Sequence, residues 1–380
     1  MGFKIEVLHL CSAYIKNDFY GELIEALDKT GISQDVYIPV KRKKDENKKN
    51  LKNINNVTFT YSKIFNDLDR FLYFIKINKL LADIKTKIDI DLINIIHAHT
   101  LFSMGGIALK LKREKNIDYI VAVRNTDVNI FFKYLFYLRG IGIQILSESK
   151  KVIFLSPAYR DYILENIVPD YLRESIKKKS IIVPNGINSF FLKNKFIRSK
   201  PKNKKNIRLL YVGEFTKNKN IEISVEAARK LKKLGYNVKY NIVGSRGNNE
   251  YKIKKLASMN KDIIKIYDRI EEKEKLLDIY RKSNIFIMPS KKETFGLVYG
   301  EAMSQGLPVI FSKGQGIDGY FKEGKVGYSV NPNDAINIVK KIEMIINNYN
   351  KISNNCNELV EKFSWENIVR TYYNIYISIK

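Results

Sequence analysis

Short apolar segments alternate with longer amphipathic segments along the first half of the chain. Residues 3–10 (FKIEVLHL) form a short, mostly apolar run typical of a buried strand, whereas residues 18–30 repeat their apolar positions at helical spacing. The same criteria predict a helix at 103–113 and strands at 35–39, 92–97, 119–124, 151–156 and 181–186. Strands that alternate with helices form parallel sheets covered by helices, so the predicted fold class is α/β.

The pattern starts again after a polar, basic segment, which predicts two domains. Residues 191–206 contain Pro201 and show no sustained periodicity, so we interpret them as a linker between domains 1–190 and 207–364. Ser364 is the predicted N-cap of a final helix, 365–380, which we expect to pack back on the N-terminal domain. In the second domain we predict strands at 207–213, 239–244 and 284–290, and helices at 220–235, 272–283 and from Gly296 onward.

The chain of 380 residues carries a formal net charge of +27, so anionic partners have to be considered. The excess is spread over both domains and is densest in the linker, where seven residues are basic and none is acidic. Three interpretations stay open: a solvated surface that reflects compositional bias, attraction to an anionic membrane surface, and nucleic-acid binding. Nucleic-acid binding needs a clustered basic face with stacking aromatics. The dispersed charge argues against it, and no nucleic-acid partner is expected.

Two amphipathic stretches, 70–87 and 131–139, place basic residues beside aromatics and are candidates for a membrane interface. A helix that buries its apolar side in a core shows the same pattern. No apolar run approaches the ~18–20 residues of a membrane-spanning helix, and the N-terminus has no cleavable signal pattern. Cys11 and Cys356 form no metal or disulfide pattern. We therefore expect a cytoplasmic protein. Peripheral binding of this protein to the inner face of the plasma membrane is a further hypothesis.

The most informative chemical pattern is PSKKETFGLVYGEAMSQGLPV at 289–309. A predicted strand ends at Pro289 and a helix begins near Gly296, and the N–H groups of a helix start bind anions. Glycine also lets a phosphate approach the backbone closely. Glu293 precedes this helix and Glu301 lies about 6 Å into it. Two carboxylates cannot both face phosphates without repulsion, so they suit neutral, hydroxyl-rich parts of a ligand: a sugar and a ribose.

The segment resembles the E-x7-E motif of family 4 retaining glycosyltransferases, and the likeness extends through most of the chain. VPNGIN (183–188), YVGEFTKNKN (211–220), IVGSRG (242–247) and FSW (363–365) also fit that family. The resemblance implies the GT-B architecture, two Rossmann-like lobes facing a cleft. It also implies a hexosyltransferase-type reaction in which Glu293 contacts the donor sugar, Glu301 the ribose and Lys219 the diphosphate. The other predicted donor-binding residues are Gly213, Phe295, Gly296, Leu297 and Val298.

The chain departs from the family pattern at several positions. Glu214 and Asn220 replace the arginine and the final glycine of the donor loop, and residues 12–18 replace a Gly-Gly loop. Arg124-Asn-Thr-Asp127 stands where many members have H-G-x-D. Arginine does not titrate near neutral pH as histidine does, so Arg124 can supply only charge and hydrogen bonds. We predict Arg124, Asp127 and Glu293 as catalytic residues, with structural pairing of Arg124 and Asp127 as the alternative.

His97 and His99 end a predicted strand. The chain has only three histidines, and no third ligand lies nearby in sequence, so packing is favoured over acceptor contact or zinc binding. No metal ion and no other cofactor is expected. The expected partners are a nucleotide-sugar donor and a saccharide or lipid-linked saccharide acceptor, a precursor of bacterial envelope polysaccharide. Two alternatives stay open: a GT-B nucleotide-sugar epimerase, which needs no acceptor, and a basic nucleic-acid-binding protein.

Overall fold

The structure, a computed structural model, describes residues 5–47, 49, 51, 54–64, 72–198 and 203–379 and divides into two compact units. Parts of four predicted segments, residues 3–4, 70–71, 199–202 and 380, lie outside the described residues. Each unit contains one parallel sheet, with seven strands in the first and six in the second. The predicted α/β fold class is confirmed.

The first unit holds the described residues up to Leu155, the segment Tyr159–Gly186 and the residues from Trp365 onward. Its strands lie in the order β3-β2-β1-β4-β5-β6-β7. They are β1 (Glu6–Leu10), β2 (Ser33–Val40), β3 (Val57–Lys63), β4 (Ile95–Ala98), β5 (Asp118–Val123), β6 (Lys151–Phe154) and β7 (Ser180–Ile182). The helices up to this point are α1 (Asp18–Asp28), α2 (Tyr73–Lys87), α3 (Gly105–Lys115), α4 (Phe132–Tyr134), α5 (Arg139–Glu148), α6 (Pro157–Asn166) and α7 (Asp170–Lys179).

The second unit repeats this arrangement from Ile187 to Ser364 with the strand order β10-β9-β8-β11-β12-β13. The strands are β8 (Asn206–Val212), β9 (Asn237–Val243), β10 (Ile264–Tyr267), β11 (Ile285–Met288), β12 (Val309–Ser312) and β13 (Gly327–Val330). The helices are α8 (Ser189–Lys193), α9 (Ile221–Lys233), α10 (Glu250–Ser258), α11 (Lys273–Lys282), α12 (Leu297–Ser304), α13 (Ala335–Asn347) and α14 (Tyr349–Leu359). Because all strands are parallel, the loops after β8, β11 and β12 meet at one edge, where ligands of such sheets bind.

The last helix, α15 (Trp365–Ile379), contributes to the core of the first unit. Its apolar face, including Ile368 and Tyr376, packs with Val7 of β1 and Ile120 of β5. The Trp365 indole N–H donates to the Glu22 carboxylate at 2.7 Å. Strands buried on both faces need apolar residues at every buried position, which accounts for the apolar run of β5 from Tyr119 onward.

The segment between β5 and β6 is irregular. Residues Asp127–Phe131 form a π-helical turn that runs into α4, and a 3₁₀ turn at Phe136–Leu138 leads into α5. Within the described part of the chain, no single helix is long and apolar enough to cross a membrane. The arms Asp127–Tyr134 and Phe136–Glu148 meet the length and composition criteria only when counted together, and they are bent by 100°.

Candidate active site

In the second unit, the loop after β8 is hydrogen-bonded to the loop after β11. The backbone N–H of Lys291 donates to the Asn218 carbonyl at 2.8 Å, and the Asn218 amide donates to the Lys292 carbonyl at 2.7 Å. The Asn220 amide donates to the carbonyls of Pro289 and Pro332. Gly213 opens the β8 loop with a φ of 152°, and a side chain there would lie 2.9 Å from the Tyr211 hydroxyl. The two loops are therefore fixed relative to one another.

Lys219 and Glu293 meet across these loops. The Lys219 Nζ lies 2.5 Å from Glu293 Oε2, and the Glu293 side chain is largely buried. A third loop, after β12, holds the backbone of Glu293: its N–H donates to Gln315 Oε1 at 2.8 Å, and its carbonyl accepts from the Gly316 N–H. The glutamate predicted to contact the sugar and the lysine predicted to contact the diphosphate are thus an ion pair, and one lysine hydrogen bond is committed to that pair.

Gly296 is the N-cap of α12, with φ 78° and no side-chain cap. An added Cβ would lie 2.8 Å from the Tyr299 ring, so glycine is required by both the backbone conformation and the space. Leu297 and Val298 form the first turn, whose N–H groups have no partner inside the helix. Phe295 is buried against Phe363, with ring centroids 5.0 Å apart. Phe295 therefore anchors the loop, while the helix start stays half-exposed.

Glu301 lies on α12 with its carboxylate facing α11. Its Oε2 accepts a hydrogen bond of 2.9 Å from the hydroxyl of Tyr280, which is fully buried. The Glu301 residue as a whole is half-buried. Tyr280 was not anticipated from sequence because it lies 21 residues away on another helix.

In the first unit, Arg124 follows β5 and is almost fully buried. Its Nε donates to the His99 carbonyl at 3.1 Å and its Nη1 to Asn185 Oδ1 at 2.9 Å. The guanidinium lies 5.5 Å from the centroid of the Phe19 ring and 5.6 Å from that of Tyr20. Hydrogen bonds and aromatic faces together hold the cation in one orientation.

The Asp127 side chain accepts hydrogen bonds from backbone N–H groups. Its carboxylate accepts from the N–H groups of Arg124, Leu101 and Phe102 at 2.8–3.2 Å, which joins the loops after β4 and β5. Burial raises the pKa of Asp127 to about 6, against the opposing effect of these hydrogen bonds and of Arg124. The Asp127 carboxylate contacts Arg124 through the backbone N–H of that residue. The Arg124 and Asp127 pair belongs to the first unit, and every predicted donor-binding residue belongs to the second.

The three histidines form one buried cluster. The parallel register of β1 and β4 sets His9 beside His97, and His99 follows two positions later. His9 Nδ1 lies 3.0 Å from His99 Nε2, and His97 Nδ1 lies 2.7 Å from the Tyr376 hydroxyl. Burial lowers the pKa of each histidine, so all are neutral at pH 7. Sequence reasoning missed His9 because it searched for a third ligand nearby in sequence, whereas strand register supplied it.

Among the described residues, these histidines are the one group that could hold a metal ion, with one nitrogen from each within 4.8 Å of the others. The rings of His9 and His99 are inclined by only 18°, and their nitrogens are at hydrogen-bond distance. Arg124 is near enough to lower the pKa of His97 and His99 further, and a cation there opposes a second cation. We therefore keep the packing interpretation and assign no metal.

Two protein-family models together match almost the whole chain. A family described as Glycosyltransferase Family 4 matches residues 19–189, and one described as Glycosyl transferases group 1 matches residues 193–363. The chain is 27% identical over 310 residues to the glycosyltransferase MJ1178 of Methanocaldococcus jannaschii, covering 77% of each. It is 29% identical over 179 residues to the capsular polysaccharide biosynthesis glycosyltransferase CapM of Staphylococcus aureus, covering 44% of this chain and 46% of the relative.

A solved structure carries the same fold. Sucrose-phosphate synthase from Thermosynechococcus elongatus matches with a TM-score of 0.75 and 20% identity over 99% of both chains. The two parallel sheets and this match show the GT-B fold, as the motifs predicted. The chain belongs to the family 4, or group 1, glycosyltransferases and transfers a sugar from a nucleotide-sugar donor.

Proposed function

We propose that this enzyme transfers its sugar with retention of anomeric configuration to a saccharide or lipid-linked saccharide of the bacterial cell envelope. The observation that carries the proposal is the group formed by Lys219, Glu293 and Glu301 around the uncapped start of α12. It combines one cation, free N–H groups for phosphate and two carboxylates for hydroxyl groups. These are the chemical requirements of a nucleoside diphosphate sugar.

The roles follow from this arrangement. Lys219 has three N–H donors and uses one on Glu293, so the others are proposed to bind the diphosphate while Glu293 accepts from a sugar hydroxyl. The α12 N–H groups at Gly296, Leu297 and Val298 are proposed to bind phosphate oxygen. Glu301, oriented by Tyr280, is proposed to accept from the ribose hydroxyls.

Arg124 is proposed to stabilise negative charge that develops as the diphosphate leaves. Its fixed orientation supports this role, because a preorganised cation does not have to reorient during the reaction. Asp127 is proposed to act through Arg124 by holding its backbone, which makes it a positioning residue. No step requires a metal ion.

The acceptor class is proposed on two grounds. The relative CapM is named for capsular polysaccharide biosynthesis, and the first unit exposes large aromatic side chains such as Phe74 and Phe136. If the acceptor is such an envelope precursor, the enzyme is proposed to work at the cytoplasmic face of the membrane. An epimerase would release an altered sugar without an acceptor, so donor turnover in the absence of acceptor would favour that alternative.

The donor site is tested with a matched pair of variants. Glu301 and Glu343 each accept from a tyrosine hydroxyl in the second unit, from Tyr280 at 2.9 Å and Tyr236 at 3.0 Å. A charged hydrogen bond contributes ~1.5–3 kcal/mol. Glu301→Ala is therefore expected to weaken nucleoside diphosphate binding by roughly ten- to a hundredfold, whereas Glu343→Ala leaves it unchanged.

Calorimetric titration with UDP, GDP and ADP measures this difference once wild type has identified the preferred base. If Glu301→Ala binds as tightly as wild type, the ribose role is wrong. Arg124→Ala separates turnover from binding: we expect kcat to fall while diphosphate affinity stays within about twofold. The anomeric configuration of the product, read by NMR, tests retention independently.

A further inference from the structure

Among the described residues with a positive φ, one differs in kind from the rest. The backbone of Arg246 is left-handed, with φ 60°, in the loop after β9 (residues 244–249, the β9 loop). The other such residues are glycines and three asparagines, which tolerate this conformation. An arginine in this conformation costs free energy that a glycine would avoid. Residues that are kept at such a cost are concentrated at functional sites.

The β9 loop is hydrogen-bonded to the β8 loop, which carries Lys219. The Arg246 carbonyl accepts from the Phe215 N–H at 2.8 Å. An added Cβ on Gly247 would lie 2.6 Å from the Phe215 carbonyl oxygen, so the two loops are in close contact. At the next residue of the β8 loop, the Thr216 carbonyl accepts from the Lys219 N–H at 3.0 Å. Two backbone hydrogen bonds and one peptide bond therefore connect Arg246 to Lys219.

The Arg246 side chain is exposed, and within the part of the chain that the structure describes its guanidinium has no hydrogen-bond or ion-pair partner. Glu250 lies four residues further on. Its carboxylate accepts from the backbone N–H of Arg246 at 2.7 Å and pairs with Lys254 at 2.7 Å. The pKa of Glu250 is lowered by its hydrogen bond with Lys254 and, to a smaller extent, by the backbone N–H and the charge of Arg246. The guanidinium itself is therefore available to an anion.

The proposed donor site needs positive charge beyond Lys219. Lys219 is paired with Glu293, and the pair carries no net charge. The diphosphate is an anion whose charge grows as the sugar leaves, and positive charge held in place stabilises it. The β8 loop adds Lys217 and the exposed acid Glu214, whose charges cancel. An arginine suits phosphate better than a lysine does, because its planar guanidinium can bind two phosphate oxygens at once.

We propose that Arg246 binds the diphosphate of the donor together with Lys219. This role depends on the proposed function, since the diphosphate has to lie at the start of α12. Lys291, Lys292 and Lys313 follow neighbouring strands and are cations as well. None of these lysines has the left-handed backbone that makes Arg246 costly to keep. A general positive field from them is the alternative that the experiment has to exclude.

Arg246→Gly tests the role because it removes the guanidinium and relieves the left-handed backbone. The relief of strain offsets the greater freedom of glycine in the unfolded chain, so the unfolding temperature should stay close to that of wild type. Calorimetric titration with the nucleoside diphosphate that wild type prefers should nevertheless show roughly ten- to a hundredfold weaker binding, because a charged hydrogen bond is lost. Arg246→Lys keeps the charge but not the planar fork, and it should recover part of the affinity.

Lys313→Ala is the matched control, because Lys313 is an exposed cation that follows β12 at the same edge of the sheet. We expect this variant to bind the nucleoside diphosphate as wild type does. An equal loss in the control would show that overall charge attracts the ligand, and would overturn the proposal. Wild-type affinity in Arg246→Gly would overturn it as well. So would an equal loss of affinity for the nucleoside without phosphate, since the guanidinium would then contact the base or the ribose.

The failure of this inference can be told from the failure of the donor site. If Glu301→Ala and Lys219→Ala weaken nucleoside diphosphate binding while Arg246→Gly does not, the role of Arg246 is wrong and the proposed donor site stands. If none of the three variants weakens the binding, the donor site itself is wrong.

Discussion

Lowering the pH should destabilise the first unit through its buried histidines, and His9 allows the effect to be isolated. Burial lowers the pKa of His9 from 6.5 to about 3, so the folded protein keeps it neutral where the unfolded chain protonates it. A base with a lowered folded pKa contributes stability that is present above pH 6.5 and is lost as the pH falls. His97 and His99, whose pKa values are also lowered, act in the same direction.

The magnitude follows from proton linkage. Between pH 7.5 and 5, a group with these two pKa values reduces the free energy of unfolding by about 2 kcal/mol, with a slope near 1.3 kcal/mol per pH unit at the acid end. That is a sizeable part of the ~5–15 kcal/mol that stabilises an ordinary domain. His9→Asn removes the titrating group, and its amide occupies the position of Nδ1 and can keep the contact with His99.

The assay is urea unfolding followed by tryptophan fluorescence. The chain has a single tryptophan, Trp365, and it lies in the first unit with the histidines. His9→Asn is expected to be less stable than wild type at pH 7.5, because a smaller side chain leaves a cavity. Its stability should nevertheless fall by about 2 kcal/mol less on going to pH 5. Parallel pH profiles for the two proteins would refute the reasoning, since other titrating groups are common to both.

Three further outcomes are expected. Lys219→Ala should weaken nucleoside diphosphate binding by roughly ten- to a hundredfold in calorimetry. Lys217→Ala, which removes an exposed neighbouring lysine, should leave the binding unchanged. Equal effects of the two substitutions would mean that the overall positive charge of the loop, and not a contact of Lys219, attracts the diphosphate. Gly296→Ala should lower the unfolding temperature more than Gly235→Ala does. Both glycines have a positive φ, but only at Gly296 would the added Cβ lie 2.8 Å from a ring, that of Tyr299. A smaller loss at Gly296 than at Gly235 would show that the Tyr299 ring moves aside without cost. Activity should survive excess EDTA, and a loss restored by manganese or magnesium would contradict a metal-independent site.

Alternating patterns were sufficient for the fold class but not for every strand. The buried strands β5, β6 and β11 were predicted because each contains a continuous apolar run. Strand β3 was not, because its sequence VTFTYSK is half-exposed and reads as polar surface. Residues 92–94 were predicted as strand, yet Ile90–Leu92 forms a 3₁₀ turn and β4 begins at Ile95. Apolar content alone does not distinguish a strand from the turn that leads into it.

Site residues close together in sequence could be predicted, whereas their partners could not. Glu293, Gly296 and Glu301 lie on one loop and helix, so their relation follows from helix geometry. Tyr280, Gln315 and His9 reach their partners through strand order and helix packing, which one sequence does not reveal. The hydrogen bond from Arg124 to Asn185 depends in the same way on the fold, because Asn185 follows Arg124 by 61 positions.

The assignment of α15 to the first unit has a consequence for the order of events during synthesis. The sheet of that unit is complete once β7 has been made, but the side chains that cover Val7 and Ile120, and the hydroxyl that meets His97, belong to residues near the end of the chain. The ribosome therefore finishes the second unit before the core of the first unit can be completed. Until α15 is made, a nascent N-terminal fragment would expose the part of this apolar sheet that α15 covers, and a chaperone is expected to bind it there. A fragment ending at Gly186 should aggregate unless the terminal helix is supplied in trans.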